Sequence, residues 1–386
     1  MSKTKIIILT TVFIDVLGIG IIIPVLPFYV QSFSTSAILM TSLFAVYSLC
    51  SFFSAPVIGR FSDKVGRRPM LIGSIFSTSL GWFIFAYAPS IIFLFLGRII
   101  DGIMAGNLPM AQSYLVDISK DDKDRAHNLG LIGAIFGLGF IIGPFLGGVL
   151  GNINIKAPFI FVGALALINS VSAFFFLPES NLNKHDKKVS LNPFIPIQNA
   201  IKATKLRLQY SAWFFFSLAI ATYQVIFSLF LKDTLNFNTF QIGLIFGFVG
   251  ILIGINQGFF MKKVWLKKFE PHNLEKMMLI LFGIGFIFLC FNNIYGLLFA
   301  LILTTFGQST LRGVINSNII KEVDNHSKGE TLGILSSIAS LAMIIGPIIT
   351  GFIYAKNIYS PFYVSAFMLF VAFLFVYKKY KHISKV

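Results

Sequence analysis

Ile141-Ile142-Gly143-Pro144-Phe145-Leu146-Gly147-Gly148 returns 203 residues later as Ile344-Ile345-Gly346-Pro347-Ile348-Ile349-Thr350-Gly351. The same offset carries Leu129-Gly130 onto Leu332-Gly333, Asp121 onto Asp324, Arg125 onto Lys328 and Ala157-Pro158-Phe159 onto Ser360-Pro361-Phe362. One unbroken register over so long a stretch marks a duplicated unit of about half the chain. Both copies of the motif are apolar and glycine-rich around a single proline. That composition suits a bent helix packed closely on a neighbour in lipid, where only small residues let backbones approach.

Outward from the motif the chain remains apolar. Of its 386 residues 56% are hydrophobic and 12% charged, about half the charge that covers an average soluble domain. Twelve apolar stretches fall between residues 6 and 377, each long enough for a helix to cross a bilayer, and no room remains for a separate soluble domain. Six spans precede the midpoint and six follow, so both copies enter the membrane from the same side, as a parallel repeat does. The expected fold is an all-α integral membrane protein of twelve helices in two six-helix halves. We expect residues 1–178 to form the first half, 179–209 a membrane-surface linker rich in Asn, Lys and Pro, and 210–386 the second half.

The net charge of +16 would suit a nucleic-acid partner only if it were gathered on one face. Instead 26 of the 31 Lys and Arg fall in alternate loops and at the two ends, against three in the opposite loops. This positive-inside bias places both termini in the cytoplasm, in a multi-pass protein of the cell's inner (plasma) membrane, bathed in lipid and with no nucleic-acid partner. Cys50 and Cys290 lie in apolar stretches of different halves and read as small buried hydrophobes. The first apolar stretch contains Asp15 and has no small-residue cleavage site after it, so it reads as a retained helix. No phosphate-binding loop, metal-ligand cluster or nucleophile with its base appears, and His127, His185 and His326 read as inert loop residues. The chain is therefore expected to be no enzyme, to need no cofactor and to draw its energy from an ion gradient.

Few ionisable groups lie inside the spans. Asp15 is about 15 Å deep in span one at 1.5 Å per residue. Arg98 and Asp101 are one turn apart in span four and can pair; Arg312 is in span ten. We read no acid in spans eight and nine, and none in spans seven to twelve to pair with Arg312. Charges in lipid are costly, so each should face a partner or a watery cavity. Asp15 is the first candidate for a proton carrier beside Arg98, Asp101 is its rival, and a static pairing that orients helices is the competing explanation. Helical spacing aligns Arg98, Asp101 and Gln112, and likewise Thr305, Gln308, Arg312 and Asn316; with Gln224 of span seven and Gln257 of span eight these are the expected substrate-cavity residues. Glycines 243, 247, 250, 254 and 258 form a stripe on span eight that reads as a packing seam.

Between spans two and three runs Gly59-Arg60-Phe61-Ser62-Asp63-Lys64-Val65-Gly66-Arg67-Arg68-Pro69. Glycines for a tight turn and arginines for topology explain part of it. They do not explain an Asp between two glycines followed by paired arginines. That pattern resembles the loop signature of the major facilitator superfamily, in which the Asp and Arg join an acid at the end of span four to lock one conformation. The matching residues are Gly59, Asp63, Gly66, Arg67, Arg68 and Asp117. Gly139, Gly143, Pro144, Gly147 and Gly148 resemble the family's antiporter motif, and Asp15 to Gly20 with Pro24 to Pro27 resembles the first span of its tetracycline and multidrug proton antiporters. Two departures speak against tetracycline: an acid expected in mid span three is replaced by Gly81-Trp82, and the ionisable residues expected in spans eight and nine are lacking. The second-half copy of the loop, 262–272, also departs from the family pattern, without the Gly-Asp-Gly frame.

The resemblance implies a monomeric secondary transporter of small molecules, a proton antiporter exporting amphiphilic compounds or drugs by alternating access. An exporter of an endogenous anionic metabolite or lipid, favoured by the lone Arg312, stays open. So does a non-transporting membrane sensor or scaffold.

Overall fold

The computed structural model describes residues 3–181, 192–291, 293–324 and 327–383. His185 and His326 lie outside the described residues. Twelve helices are long and apolar enough to cross a membrane, and the described residues contain no strand. In lipid no water satisfies backbone groups, and a helix satisfies its own. The first six spans are α1 (Lys3–Gln31), α2 (Ala37–Val65), α3 (Arg67–Ala86), the pair α4 (Ile91–Ile103) and α5 (Asn107–Asp117), α6 (Asp122–Ile153) and α7 (Ala157–Phe176). A short helix, α8 (Ile195–Lys202), precedes α9 (Arg207–Leu235) and α10 (Thr239–Ile255). A π-helical stretch, Asn256–Trp265, extends α10 into the single turn α11 (Leu266–Lys268). Then follow α12 (Pro271–Leu289), α13 (Ile294–Ile320), α14 (Lys328–Lys356) and α15 (Ser360–Ile383).

Contacts divide the chain into two compact units. The first comprises Met1–Thr35, Val46–Asn192 and Phe237–Gly247, the second Ser36–Ala45, Pro193–Asn236 and Phe248–Val386. Each unit thus takes the start of one helix whose remainder belongs to the other.

The duplicated motif explains this exchange. In the first unit α6 lies on α1 so closely that a methyl on Gly143 would come 3.0 Å from Gly20 Cα, and one on Gly147 2.5 Å from Ile21 O. Gly148 faces the start of α10, where its added carbon would meet Gly243 Cα at 2.8 Å. In the second unit Gly346 abuts Ala221 on α9, and Gly351 abuts the start of α2, 2.8 Å from Ile38 Cα. Thr350, the counterpart of Gly147, donates its hydroxyl to Thr222 O at 3.2 Å. Each proline-bearing helix therefore clamps one helix of its own half and the start of one from the other. Gly243, the first member of the stripe on α10, is closely packed, whereas Gly247 has a single contact at 3.9 Å and nothing lies within 4 Å of Gly254 or Gly258.

Candidate functional site

Span four is not one helix. Pro109 has no N–H to continue the ladder, and α4 ends at Ile103 with Met104–Gly106 non-helical before α5. Neighbouring hydroxyls take up freed carbonyls: Ser77 donates to Ile100 O at 2.7 Å, Ser54 to Gly102 O at 2.9 Å, and Ser74 to Met104 O. The break turns Asn107, 4% exposed, toward α1. Its Nδ2 donates to Asp15 Oδ1 at 2.8 Å and to Thr78 Oγ1 at 3.2 Å, and the Thr78 hydroxyl also reaches the Asp101 carboxylate.

Asp101 meets Arg98 at 3.7 Å, a loose pair between side chains that are each 8% exposed. Aromatic rings hold the guanidinium: its centre is 4.2 Å from the Trp82 ring, 4.9 Å from Phe85 and 5.8 Å from Tyr47. A cation over ring faces is stabilised by their quadrupoles without neutralisation. Nε and Nη2 of Arg98 have no hydrogen-bond partner. The first unit thus brings Asp15, Arg98 and Asp101 together through Asn107 and Thr78, two residues that carried no signal in the sequence beyond the Gly106-Asn107-Leu108-Pro109 break itself. It also shows why position 81 holds no acid: a Cβ there would lie 2.8 Å from Gly97 O and 3.0 Å from Asp101 Cβ.

At one end of this unit α2 passes into α3 through a single residue, Gly66, whose φ of 127° a side chain rarely adopts. Gly59 is helical and needs no such freedom. The turn lets Arg67 reach Asp63 at 2.7 Å and Asp117 at 3.1 Å, and donate to Ser62 Oγ at 2.9 Å. Arg68 donates to Phe174 O at 2.6 Å. Glu179, read only as the first residue of the linker, has a carboxylate that accepts from the N–H groups of Arg67 at 2.8 Å and Arg68 at 3.2 Å. An anion on the first N–H groups of a helix is favourable twice over, by hydrogen bonding and by the helix dipole. Ser180 and Asn181 add bonds to Asp117 and to Asp63 O. The start of the segment read as a linker is therefore part of the loop network.

The expected substrate-cavity residues are divided between the units. Gln112 is exposed on α5 in the first unit; the others belong to the second. Gln224 is half-buried on α9, as are Gln308 and Asn316 on α13, while Arg312 on α13 is exposed. Gln257, also exposed, donates to Ser309 O at 2.6 Å. Beside it Asn256 donates to Ser309 and Thr310 hydroxyls at 2.7 and 2.9 Å, fixing the π-helical stretch on α13. One expectation fails outright: the second half does contain a buried acid. Glu275, 0% exposed near the start of α12, accepts from Asn318 Nδ2 at 2.6 Å. Hydropathy alone leaves it in a loop, because His272, Glu275 and Lys276 make the first turns of α12 polar. Among the described residues no group of His, Cys, Asp and Glu could hold a metal ion.

A family model described as Major Facilitator Superfamily matches residues 8–274 and 264–385. The chain is 30% identical over 362 residues to the class C tetracycline resistance protein of Escherichia coli, covering 92% of this chain and 91% of that one. It is 28% identical over 376 residues to Multidrug resistance protein 2 of Bacillus subtilis (strain 168), covering 95% and 92%. A solved bacterial homolog of the human lysosomal transporter Spinster shares the fold, with a TM-score of 0.79 at 14% identity over 100% of this chain and 99% of that one.

Proposed function

The chain belongs to the Major Facilitator Superfamily, and from that premise we propose that it is a proton-coupled antiporter exporting small amphiphilic compounds by alternating access. One observation carries the reading: the line from half-buried Asp15 through buried Asn107 and Thr78 to Asp101 and Arg98. Asp15 is the proton carrier. Its charge is tolerated when the Arg98 guanidinium approaches and is neutralised by a proton when Arg98 stays with Asp101. The aromatic cage lets the guanidinium shift without leaving a stabilising surface. The tetracycline and multidrug resistance relatives support drug-like substrates. The moving bodies are the two halves, residues 1–178 and 210–386, joined by 179–209, and the protein works as a monomer powered by the proton gradient.

Both termini and the Asp63–Arg67–Asp117 network face the cytoplasm, where that network holds its side closed. With Cys50 and Cys290 replaced by Ser, an impermeant thiol reagent applied to intact cells should label a cysteine at Lys356 and spare one at Val65; the reverse pattern inverts the orientation. In everted membrane vesicles acidified inside, a fluorescent amphiphilic compound should accumulate and leave when a protonophore collapses the gradient. Accumulation indifferent to the protonophore would refute coupling.

A second reading, export of an anionic metabolite or lipid, is favoured by Arg312. No acid pairs with it among the described residues, and the buried acid of its unit, Glu275, is bonded to Asn318. A non-transporting sensor or scaffold would show no substrate-driven proton movement at all.

A further inference from the structure

Glu275 is a fully buried carboxyl to which the proposed cycle gives no role. Asn318 donates to its Oε2 at 2.6 Å, and no protein group donates to Oε1. The groups facing it come from every helix around it. From its own helix α12 come Lys276, whose ammonium lies 5.8 Å from the Tyr380 ring centre, and His272, whose ring is 5.1 Å from Tyr380. From α13 comes Asn318, from the turn after it Glu322, and from α15 Lys379 and Tyr380. From α9 Gln209 donates to the Tyr380 hydroxyl at 3.1 Å.

Lys379, 8% exposed, is the cation best placed to neutralise Glu275, but its ammonium is bonded to Glu322 at 2.5 Å. Glu275 is therefore left with one neutral donor, no cation in contact and a second acid nearby. A buried carboxylate persists only when a cation pairs with it and donors reach both oxygens; otherwise it takes up a proton. These contacts also tie four helices at one end of the second unit: Glu275–Asn318 joins α12 to α13, Lys379–Glu322 joins α15 to the turn that ends α13, and Gln209–Tyr380 joins α9 to α15.

We propose that Glu275 is a second proton-binding site, carrying its proton on Oε1 while the ends of α9, α12, α13 and α15 are tied together. When those ends separate and water enters, the O–H bond breaks, the proton passes to water, and the Lys379 ammonium leaves Glu322 to pair with the new carboxylate. Opening of this end is thereby linked to release of one proton, by chemistry that does not involve Asp15.

Infrared spectra of the purified wild type, Glu275→Gln and Asp15→Asn, recorded in H2O and D2O, test this without measuring transport. The wild type should carry a deuterium-sensitive C=O band of a protonated carboxyl that Glu275→Gln removes and Asp15→Asn retains. Glu275→Gln should keep wild-type yield and melting temperature, since an amide reproduces the neutral acid. If Glu275→Gln removes only carboxylate bands, or loses folded protein as the breaking of an ion pair would make it, Glu275 is ionised and the proposal is wrong. Failure of Asp15→Asn to affect export would count against the proposed coupling site and leave this band untouched.

Discussion

The two units repeat one sequence pattern, and the chemistry within it has diverged. Positions that hold Asp15, Arg98 and Asp101 in the first unit hold Leu218, Leu301 and Thr304 in the second, 203 residues on, all of them buried. The Asn107 position becomes Thr310, also buried. Close helix packing survives in both units, because it depends on residue size at the clamped positions. Titratable groups do not have to be duplicated, since a cycle needs only one place to load a proton. The second unit keeps its acid elsewhere, one turn into α12 and away from any aromatic cage. Duplication thus preserved the scaffold and left charge free to specialise.

The largest effect should come from removing the charge that separates the units. Asp15→Asn can still accept the Asn107 hydrogen bond, so folding should persist while gradient-driven accumulation in everted vesicles falls to background. Leu218→Asn at the counterpart position should retain gradient dependence. Asp101→Asn belongs beside them: if it alone abolishes accumulation, the carrier is in span four.

Packing comes next. Gly147→Ala places a methyl 2.5 Å from Ile21 O and should lower stability by about 1–3 kcal/mol through overpacking, read as a drop in melting temperature in detergent. Its counterpart Thr350 already carries a side chain, so Thr350→Ala meets no clash and should lose only the hydroxyl's bonds to Thr222 O and Gly346 O, about 1 kcal/mol. Equal effects at the two positions would mean that the clamps are equivalent.

Much of this was legible in the sequence, for reasons that differ by position. Apolar length and loop charge announce the twelve spans, because lipid admits few alternatives. Asp63, Arg67 and Asp117 were legible through spacing and resemblance. Glu179 was not: its role depends on φ at Gly66 aiming the first N–H groups of α3 at it. Asn107 and Thr78 were missed because a neutral side chain in a span has no signature until a helix break brings it to a charge. Glu275 was missed because hydropathy averages over a window, and a polar first turn looks like a loop.

A smaller effect tests the loop. The side chains of Asp63 and Arg67 are 33% and 14% exposed, so their pair should contribute about 1 kcal/mol. Asp63→Asn should shift the conformational population about fivefold toward inward-open, read by distance measurements across the cytoplasmic mouth, with no loss of folded protein. An unchanged distribution would reduce the loop to a topology signal. Smallest of all, Gly254→Ala meets nothing within 4 Å and should stabilise the protein by up to about 1 kcal/mol through helix propensity. A marked loss would mean that another surface closes on this face of α10.

Proton movement measured beside substrate movement decides the central claim. In proteoliposomes holding a pH-sensitive dye, a substrate gradient imposed on the wild type should drive protons the opposite way. In Asp15→Asn, substrate should still equilibrate while the dye signal stays flat. Proton flux in Asp15→Asn equal to that of the wild type would contradict the assignment of Asp15 as the proton carrier.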